Sequence, residues 1–405
     1  MTGCVVAGGG PAGIVLGLLL SRCGVDVVVL EKHADFLRDF RGDTVHASTL
    51  GLLDELGLGE RFAALPHRVE RHVEIVFDGG RVAPRFGRLP GRHQHIALVP
   101  QWDFLGMLVE AARESPHFRI VMSAEVVGLV REDGRVVGVR YTDRESGAGH
   151  ELRANLVVGC DGRHSRVRDA LGLDPRALAA PFDCLYVRVP MRDDDPDRTL
   201  VRFSSRGGVV MINRNTYWQV AVLIGKGDVD AVGVVRRSIR ALAPVLADRA
   251  DAVTAEDIAR LEVRQDRLRR WWVPGALCIG DAAHAMTPIA GVGINLAIQD
   301  AVAAARILVP ALQAGSVADR DLAAVQRRRL LPTVLTQALQ RLTQRRAIVA
   351  PARDPEEVRP PLRVPQPLRT LRHVPGFLHV FGRVIAVGVQ PEHLTGPLAD
   401  ARSVR

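Results

Sequence analysis

The residues of this chain that could do chemistry on a bound nucleotide begin at its N-terminus. Gly8, Gly10 and Gly13 fit the spacing G-x-G-x-x-G and directly follow an apolar run at 4–7. In such a turn the first glycine allows a tight bend, the second lets a pyrophosphate approach the backbone, and the third lets a helix pack closely on the strand. Glu31 ends the next apolar run, at about the distance where an acidic side chain accepts hydrogen bonds from an adenosine ribose. The segment predicts a dinucleotide-binding unit.

Two later segments place an aspartate next to a glycine at the end of an apolar run. They are Asp161-Gly162 and Gly280-Asp281. An aspartate at the end of a strand that faces a cofactor cleft can hold a sugar hydroxyl. After the second segment, a helix predicted to begin near Gly293 directs its N–H groups, and the positive end of its dipole, at an anion.

Around these segments, alternating strand and helix patterns predict an α/β fold with a Rossmann-like dinucleotide-binding domain. Two stretches rich in strand patterns predict an antiparallel sheet that is inserted into this domain and binds a substrate. Asp133-Gly134 is a strong hairpin signal. A proline-rich and helical tail ends the chain. The predicted bounds are 1–68, 97–180 and 270–349 for the first domain, 69–96 and 181–269 for the second, and 350–405 for the tail.

The composition narrows the class of ligand. The 405 residues carry a formal net charge of +9, but the basic residues are almost all arginines scattered among acidic residues, with lysine only at 32 and 226. Aromatic residues make up 4% of the chain, too few for a base-stacking platform. This balance favours anionic small molecules such as dinucleotides and argues against nucleic acid as a partner.

The cysteines, the N-terminal residues and the apolar runs indicate the cellular compartment of the protein. The five cysteines form no C-x-x-C pair, and three of them lie in apolar runs, which is typical of buried free thiols. Residues 1–13 lack the charged segment that begins a signal peptide, and no apolar run reaches about 18 residues. We therefore expect a cytoplasmic protein without a transmembrane segment.

Taken in order, the three segments resemble those of the class A FAD-dependent monooxygenases, the family of para-hydroxybenzoate hydroxylase and of many aromatic and polyketide hydroxylases. The resemblance extends from Gly8 to Asp300. It implies non-covalent FAD, with Asp281 on the ribityl chain, Pro288 beside the reactive face of the flavin and Asn295 near its pyrimidine edge. The FAD-binding residues that it implies are Gly8, Gly10, Pro11, Ala12, Gly13, Glu31, Lys32, Arg41, Gln101, Asp161, Gly280, Asp281, Pro288, Gly291, Gly293, Ile294 and Asn295.

The resemblance also implies a reaction. NADH or NADPH reduces FAD, O2 forms a C4a-hydroperoxide on the reduced flavin, and that species hydroxylates an aromatic or polyketide-like small molecule, as in secondary metabolism. The alternatives are a reductase or epoxidase, a halogenase, and a non-catalytic flavin-binding protein. A halogenase would carry a catalytic lysine and a Trp-x-Trp-x-Ile-Pro segment, which residues 271–274 do not match.

The residues that contact the substrate are harder to read from the sequence. Candidates in segments that could line a cavity are His46, His95, Met211, Tyr217 and Trp218. His46 and Pro288 are the candidate catalytic residues, and no catalytic base is assigned. His93 and His95 share a strand face without a third ligand, so no metal site is predicted. The sequence assigns no oligomeric state.

Overall fold

The computed structural model describes residues 2–37, 44–227, 229–347, 360–366 and 368–399. Its strands are β1 (Thr2–Ala7), β2 (Val27–Leu30), β3 (Thr44–Val45), β4 (Arg68–Glu70), β5 (Glu74–Phe77), β6 (Gly80–Val82), β7 (Ile96–Leu98), β8 (Phe118–Val121), β9 (Ala124–Glu132), β10 (Arg135–Asp143), β11 (Gly149–Gly159), β12 (Pro175–Leu178), β13 (Phe182–Pro190), β14 (Leu200–Ser204), β15 (Gly207–Asn213), β16 (Tyr217–Gly225), β17 (Ile258–Leu261), β18 (Gln265–Leu268), β19 (Trp272–Val273) and β20 (Ala276–Cys278). Its α-helices are α1 (Pro11–Arg22), α2 (Ala47–Glu55), α3 (Gly59–Ala63), α4 (Gln101–Arg113), α5 (Arg166–Ala170), α6 (Ala231–Leu242), α7 (Val292–Gln313), α8 (Asp319–Ala347), α9 (Leu368–Leu371) and α10 (Phe377–Ala386). Short 3-10 helices cover Pro244–Ala252, Gly280–Ala282, Ile289–Gly291 and Gly396–Leu398.

The first sheet has eight strands and a parallel centre. Its order is β19-β20-β11-β1-β2-β8, parallel from β20 to β8, with β10 and β9 continuing antiparallel from β11. In β1, Val5 pairs with Val157 on one side and with Val28 on the other. Strands of this kind are apolar throughout when both faces of the sheet are covered. Together with the antiparallel strands, this sheet confirms the predicted α/β class.

The hairpin between β9 and β10 turns at Asp133 and Gly134. Both residues have positive φ, 49° and 78°. A tight two-residue turn needs this conformation because its twist matches that of the flanking strands. The predicted hairpin is confirmed.

The second sheet has seven strands in the order β17-β13-β16-β15-β14-β5-β6 and is antiparallel except between β14 and β5. Side chains alternate between its two faces, as in any strand. One face packs on α6, with Leu185, Val187, Val220 and Ile239 in a shared buried cluster. The opposite face looks back towards the first sheet and lines a cavity.

A three-stranded antiparallel sheet, β3-β7-β4, lies beside the second sheet at the same cavity. Val45 pairs with Ala97, and Ala97 pairs with Val69. This small sheet brings the segment before α2 into register with the segment before β5.

Helix α7 is the central helix of the fold. It packs against α1 on one side and α8 on the other. The stretch 289–313 is long and apolar enough to cross a membrane. Its most apolar 18-residue window has a mean hydropathy of 1.5, but 72% of that window is buried inside the protein, as expected for a core helix. The sequence did not indicate this long apolar helix because Asn295, Gln299 and Asp300 interrupt its apolar pattern.

All five cysteines are free, and four of them are buried. Burial raises the pKa of the thiols of Cys4, Cys160 and Cys278 well above the ordinary value. These cysteines are therefore packing residues, as the apolar runs around them predicted.

Candidate cofactor and substrate site

A cavity of about 1690 Å³ lies between the two large sheets. Ligand pockets are usually about 300–1,000 Å³ in volume, so this one has room for more than one ligand. Its surface includes most of the predicted FAD-binding residues: Gly8, Gly10, Pro11, Ala12, Glu31, Lys32, Gln101, Asp161, Asp281, Pro288, Gly291, Gly293, Ile294 and Asn295. Gly13 and Gly280 are buried beside it, whereas Arg41 lies outside the described residues.

The three glycines after β1 have different reasons to be glycine. Gly8 has a φ of 103°, and a Cβ there would lie 2.5 Å from the carbonyl oxygen of Cys160. A Cβ on Gly13 would lie 2.0 Å from the carbonyl oxygen of Gly8. No atom lies within 4 Å of a Cβ built on Gly10. Gly8 and Gly13 are thus required by packing, whereas Gly10 faces open space that a ligand can use.

The N-terminus of α1 is open towards the cavity. Gly10 is its N-cap residue, Pro11 follows, and the first turn has neither a side-chain cap nor an acidic residue. The backbone N–H groups of the first turn therefore have no side-chain acceptor, and the helix dipole places a partial positive charge there. A pyrophosphate fits this chemistry.

Glu31 is 2% exposed and holds the glycine turn in place. Its Oε2 accepts a hydrogen bond from the backbone N–H of Gly9 at 2.8 Å, and its Oε1 accepts one from the N–H of His33 at 3.0 Å. Glu31 also lines the cavity, where a carboxylate can accept hydrogen bonds from ribose hydroxyls. Lys32 lies exposed at the edge of the cavity beside it.

The Asp161 carboxylate is used inside the protein. Its Oδ1 accepts from the Ser165 hydroxyl at 2.5 Å, and its Oδ2 accepts from the Val167 N–H at 3.1 Å. Burial raises the pKa of Asp161 despite these bonds. Asp161 therefore chiefly shapes the start of α5, and its contribution to a cofactor site comes through the loop that it holds.

The second and third sequence segments are joined by an ion pair. The Arg163 Nε lies 3.1 Å from Asp281 Oδ2, and both side chains are partly exposed at the cavity. The side chain of Arg168 in turn donates to the carbonyl oxygen of Arg163 at 2.9 Å. The pair fixes the position of the carboxylate predicted to hold the ribityl chain.

The N-terminus of α7 also faces the cavity without a side-chain cap. Ala290 and Gly291 both have a φ of 61°, and the helix begins at Val292 with no acidic residue in its first turn. For Ala290, which has a Cβ, this left-handed conformation costs free energy and must be held by the surroundings. Such strain is typical of functional sites.

His46 holds Ala290 in this conformation. The ring of His46 is 2% exposed, and its Nε2 lies 3.1 Å from the carbonyl oxygen of Ala290. Burial lowers the pKa of His46 to about 4. The ring is therefore neutral near pH 7, with Nε2–H donating to the carbonyl. A general base works best with a pKa near the working pH, and the pKa of His46 is well below it. We therefore interpret His46 as a positioning residue, which acts through its contact with the Ala290 carbonyl.

The Asn295 side chain is fully occupied by the protein. Its Oδ1 accepts from the His46 backbone N–H at 3.0 Å and from the Thr49 hydroxyl at 2.7 Å, while its Nδ2 donates to the Thr44 carbonyl at 3.2 Å. The amide ties α7 to the small sheet and α2. Only the backbone of Asn295 is left to face a cofactor, a division that the sequence could not show.

The predicted substrate contacts need correction. Met211 and Trp218 are almost fully buried on the α6 face of the second sheet, away from the cavity. Tyr217 lies at a strand end under the guanidinium of Arg188, 5.1 Å away, and His95 packs against a neighbouring histidine ring. Of the five candidates, only His46 lines the cavity.

The prediction for Met211 and Trp218 is wrong because successive side chains of a strand point to opposite faces of the sheet, and these two point away from the cavity. Their neighbours Ile212 and Gln219 point to the opposite face and line the cavity. We call the cavity-facing side chains of the second sheet the sheet wall. It consists of Val73, Ile75, Phe182, Cys184, Tyr186, Thr199, Val201, Phe203, Val210, Ile212, Gln219, Ala221, Leu223 and Leu261.

The C-terminal segment closes another side of the cavity. Phe381, Val384, Ile385, Val387 and Val389 line it, in and after α10. The tail was expected to be helical, but nothing in the sequence indicated that it would form part of the site.

This segment is anchored by a buried network of charges. The Glu392 carboxylate lies 2.6 Å from Arg328 and 3.3 Å from Arg329. Arg329 also pairs with Asp300 at 2.8 Å, and Asp300 accepts from the N–H of Gly280 at 3.1 Å. Although burial opposes it, His284 and Arg329 hold the pKa of Asp300 below its ordinary value. The network connects the tail to the Gly280-Asp281 turn.

Comparison with known proteins identifies the family. Residues 1–338 match the family model described as FAD binding domain. The chain belongs to this family. Its homologues are class A flavin monooxygenases, which confirms the predicted resemblance, the FAD cofactor and the assignment as a flavin-dependent oxidoreductase.

Individual relatives are named as monooxygenases or hydroxylases of particular small molecules. The chain is 33% identical to 6-methylpretetramide 4-monooxygenase of Streptomyces rimosus over 88% of this chain and 86% of that protein. It is 30% identical to rifampicin monooxygenase of Streptomyces venezuelae, covering 73% of this chain and 62% of that longer protein. The crystal structure of anhydrotetracycline hydroxylase OxyS from Streptomyces rimosus matches with a TM-score of 0.75 and 25% identity, over 95% of this chain and 76% of that one.

Proposed function

We propose that this chain holds FAD against the first sheet and hydroxylates an aromatic or polyketide-like small molecule bound against the sheet wall, with NAD(P)H and O2 as co-substrates. The observation that carries the proposal is the continuity of the cavity, which joins two uncapped helix N-termini to an apolar sheet face. Use of NAD(P)H and O2 is typical of the family.

The residues present fit FAD. The open space at Gly10 and the free N–H groups of α1 suit the pyrophosphate, Glu31 suits the ribose, and Asp281 suits the ribityl chain. Pro288 and the start of α7 remain for the flavin ring. When bound, the flavin supplies the electron transfer and the oxygen chemistry.

The protein supplies charge, position and dryness. The uncapped N-terminus of α7 carries a partial positive charge, which would stabilise negative charge on a reduced flavin ring held beside it. His46 keeps the turn before this helix in its strained conformation. The apolar side chains of the sheet wall and of the C-terminal segment exclude water from the reacting atoms.

The relatives support a polycyclic substrate. 6-Methylpretetramide 4-monooxygenase shares most of its length with this chain, and the sheet wall is largely apolar across several neighbouring strands, which suits a flat, extended ring system. We keep as part of the proposal a FAD domain of 1–68, 97–180 and 270–349, a substrate domain of 69–96 and 181–269, and a tail of 350–405. We also propose a cytoplasmic location.

Anaerobic stopped-flow reduction tests the proposal. The FAD-loaded protein is mixed with NADH or NADPH, alone and together with the metabolite that accumulates when the gene is deleted. We expect the substrate to accelerate flavin reduction, because its binding shifts the equilibrium between flavin positions. Equal rates with and without it would contradict a substrate-gated hydroxylase and favour a reductase.

A further inference from the structure

A buried carboxylate lines the cavity across the small sheet from His46. Glu70 pairs with Ile96, and His46 directly follows β3, whose register with β7 places it opposite Ile96 as well. All three line the cavity. Neighbouring strands are about 4.8 Å apart, so Glu70 lies roughly 10 Å from His46 along this row. His46 contacts the turn before α7, so a ligand that spans both positions is about 10 Å long.

The sheet wall reaches Glu70 through Thr199. By the strand registers, Thr199, Ile212 and Gln219 form one row across the wall, and all three line the cavity. The Thr199 hydroxyl donates to Glu70 Oε1 at 2.6 Å. The next row along the wall consists of Ile75, Val201, Val210, Ala221 and Tyr186, and it is apolar apart from the hydroxyl of Tyr186. The polar end of the wall therefore coincides with Glu70.

The two oxygens of Glu70 are used differently. Among the described residues, Oε1 accepts from both the Arg68 Nε, at 2.8 Å, and the Thr199 hydroxyl. These two donors fix the carboxylate, which is 6% exposed. A carboxylate oxygen accepts up to two hydrogen bonds, so Oε1 is satisfied and Oε2 is the oxygen with acceptor capacity to offer a ligand.

Such a group selects for hydrogen-bond donors. A buried acceptor gains a bond from a hydroxyl or an amide N–H, but it is left unpaired beside an ether, and it repels a carbonyl or carboxylate oxygen. Ile96, which pairs with Glu70 across the small sheet, is apolar. The structure therefore favours one ligand chemistry at this end of the cavity.

We propose that Glu70 forms a specificity-determining subsite that accepts a hydrogen bond from a phenolic hydroxyl or a carboxamide N–H at the edge of a fused-ring ligand. The inference rests on the proposed function, because it takes the sheet wall as the surface that binds the ring.

The test uses a matched pair of ring compounds with the FAD-loaded protein. 2-Hydroxyanthraquinone carries a free donor, and 2-methoxyanthraquinone carries the same oxygen without the proton. Dissociation constants are measured from the change in flavin absorbance on titration, which requires no turnover. We expect the wild-type protein to bind the hydroxy compound about 10-fold or more tightly, as a hydrogen bond to a charged group predicts.

The Glu70→Gln variant should abolish or reverse this preference. Arg68 and Thr199 both donate to Oε1, so they should orient the amide oxygen of glutamine towards themselves and turn its NH₂ group to the cavity. Glu74→Gln is the matched control, because Glu74 lies on β5, the next strand along the chain, and pairs with Arg81 and Arg198. The control should keep the wild-type preference.

Several results would overturn the subsite. They are equal affinities of the wild-type protein for the two compounds, a preference that survives in Glu70→Gln, and failure of both compounds to bind. The wild-type comparison decides the matter even if Glu70→Gln does not fold. FAD retention and substrate-gated reduction are measured separately, so the subsite can fail while the proposed function stands.

Discussion

The two sides of the cavity are built in different ways. On the first sheet, the site is built mainly from backbone, namely two helix N-termini and glycines whose missing side chains make room, such as Gly10, with the carboxylates of Glu31 and Asp281 beside them. On the second sheet it consists of alternate side chains from several strands, such as Ile212 and Gln219. The first kind of site needs particular residues at fixed spacing, whereas the second needs only side chains that point the right way.

This difference explains what the sequence revealed. A glycine with positive φ has few substitutes, so Gly8 and Gly291 appear in the sequence as a motif. A strand position facing a ligand and one facing a helix are both apolar, so Val210 and Val209 look alike. The cofactor side of the cavity can therefore be predicted from the sequence, whereas the sheet wall cannot.

The largest expected effect is a difference in stability between substitutions at two glycines of the same motif, Gly13 and Gly10. Gly13→Ala puts a methyl group against the Gly8 carbonyl, and we expect it to lower the free energy of unfolding by about 4 kcal/mol or to prevent folding. Gly10→Ala meets open space, so it should leave the unfolding of the FAD-free protein nearly unchanged while weakening FAD binding. Urea unfolding and FAD titration measure the two effects. Equal losses of stability would remove the distinction.

Substitutions at two neighbouring residues of β15, Met211 and Ile212, should likewise differ in their effects on stability and on ligand binding. Met211→Ala empties a buried position against α6, and we expect it to cost about 2–5 kcal/mol of unfolding free energy. Ile212→Ala, on the cavity face, should cost less stability but weaken binding of ring compounds. Denaturation and ligand titration of both variants provide the measurement. A ligand defect confined to Met211→Ala would show that the assigned parity is wrong.

The buried ring of His46 should make the free energy of unfolding depend on pH. Its pKa is about 4 when folded and near 6.5 when unfolded, so the unfolded chain binds the extra proton more readily. The stability that it contributes is complete above about pH 6.5 and is lost as the pH falls towards 4, by about 3 kcal/mol in all. Unfolding free energies of wild type and His46→Gln across this range should converge at low pH. A difference that does not vary with pH would contradict the buried, neutral ring.

Asp281→Ala tests the side-chain contribution to the cofactor side. Loss of a charged acceptor for the ribityl hydroxyls should weaken FAD binding about 10- to 100-fold, the equivalent of about 1.5–3 kcal/mol. Asp251→Ala is the control, because this exposed carboxylate pairs with Arg240 at the far face of α6. FAD affinity unchanged from wild type in a folded Asp281→Ala protein would refute the assigned role.

Sequence reasoning therefore succeeded where local geometry is decisive and failed where distant contacts are. It predicted the glycine turns, the hairpin at Asp133-Gly134 and the helix that became α7. It did not predict that Asn295 would bond to Thr49, or that Glu392 would anchor the tail to the cofactor turn. These partners are far apart in the chain, and only packing brings them together.

The central claim is that an oxygen atom from O2 is placed on a ring held between the two sides. The most direct test is turnover of the FAD-loaded protein with NAD(P)H, the metabolite that accumulates in a deletion strain, and ¹⁸O₂, followed by mass spectrometry of the product. We predict a product that carries one ¹⁸O atom for each NAD(P)H consumed in coupled turnover. Unlabelled product, or NAD(P)H consumption that yields only hydrogen peroxide, would contradict the account.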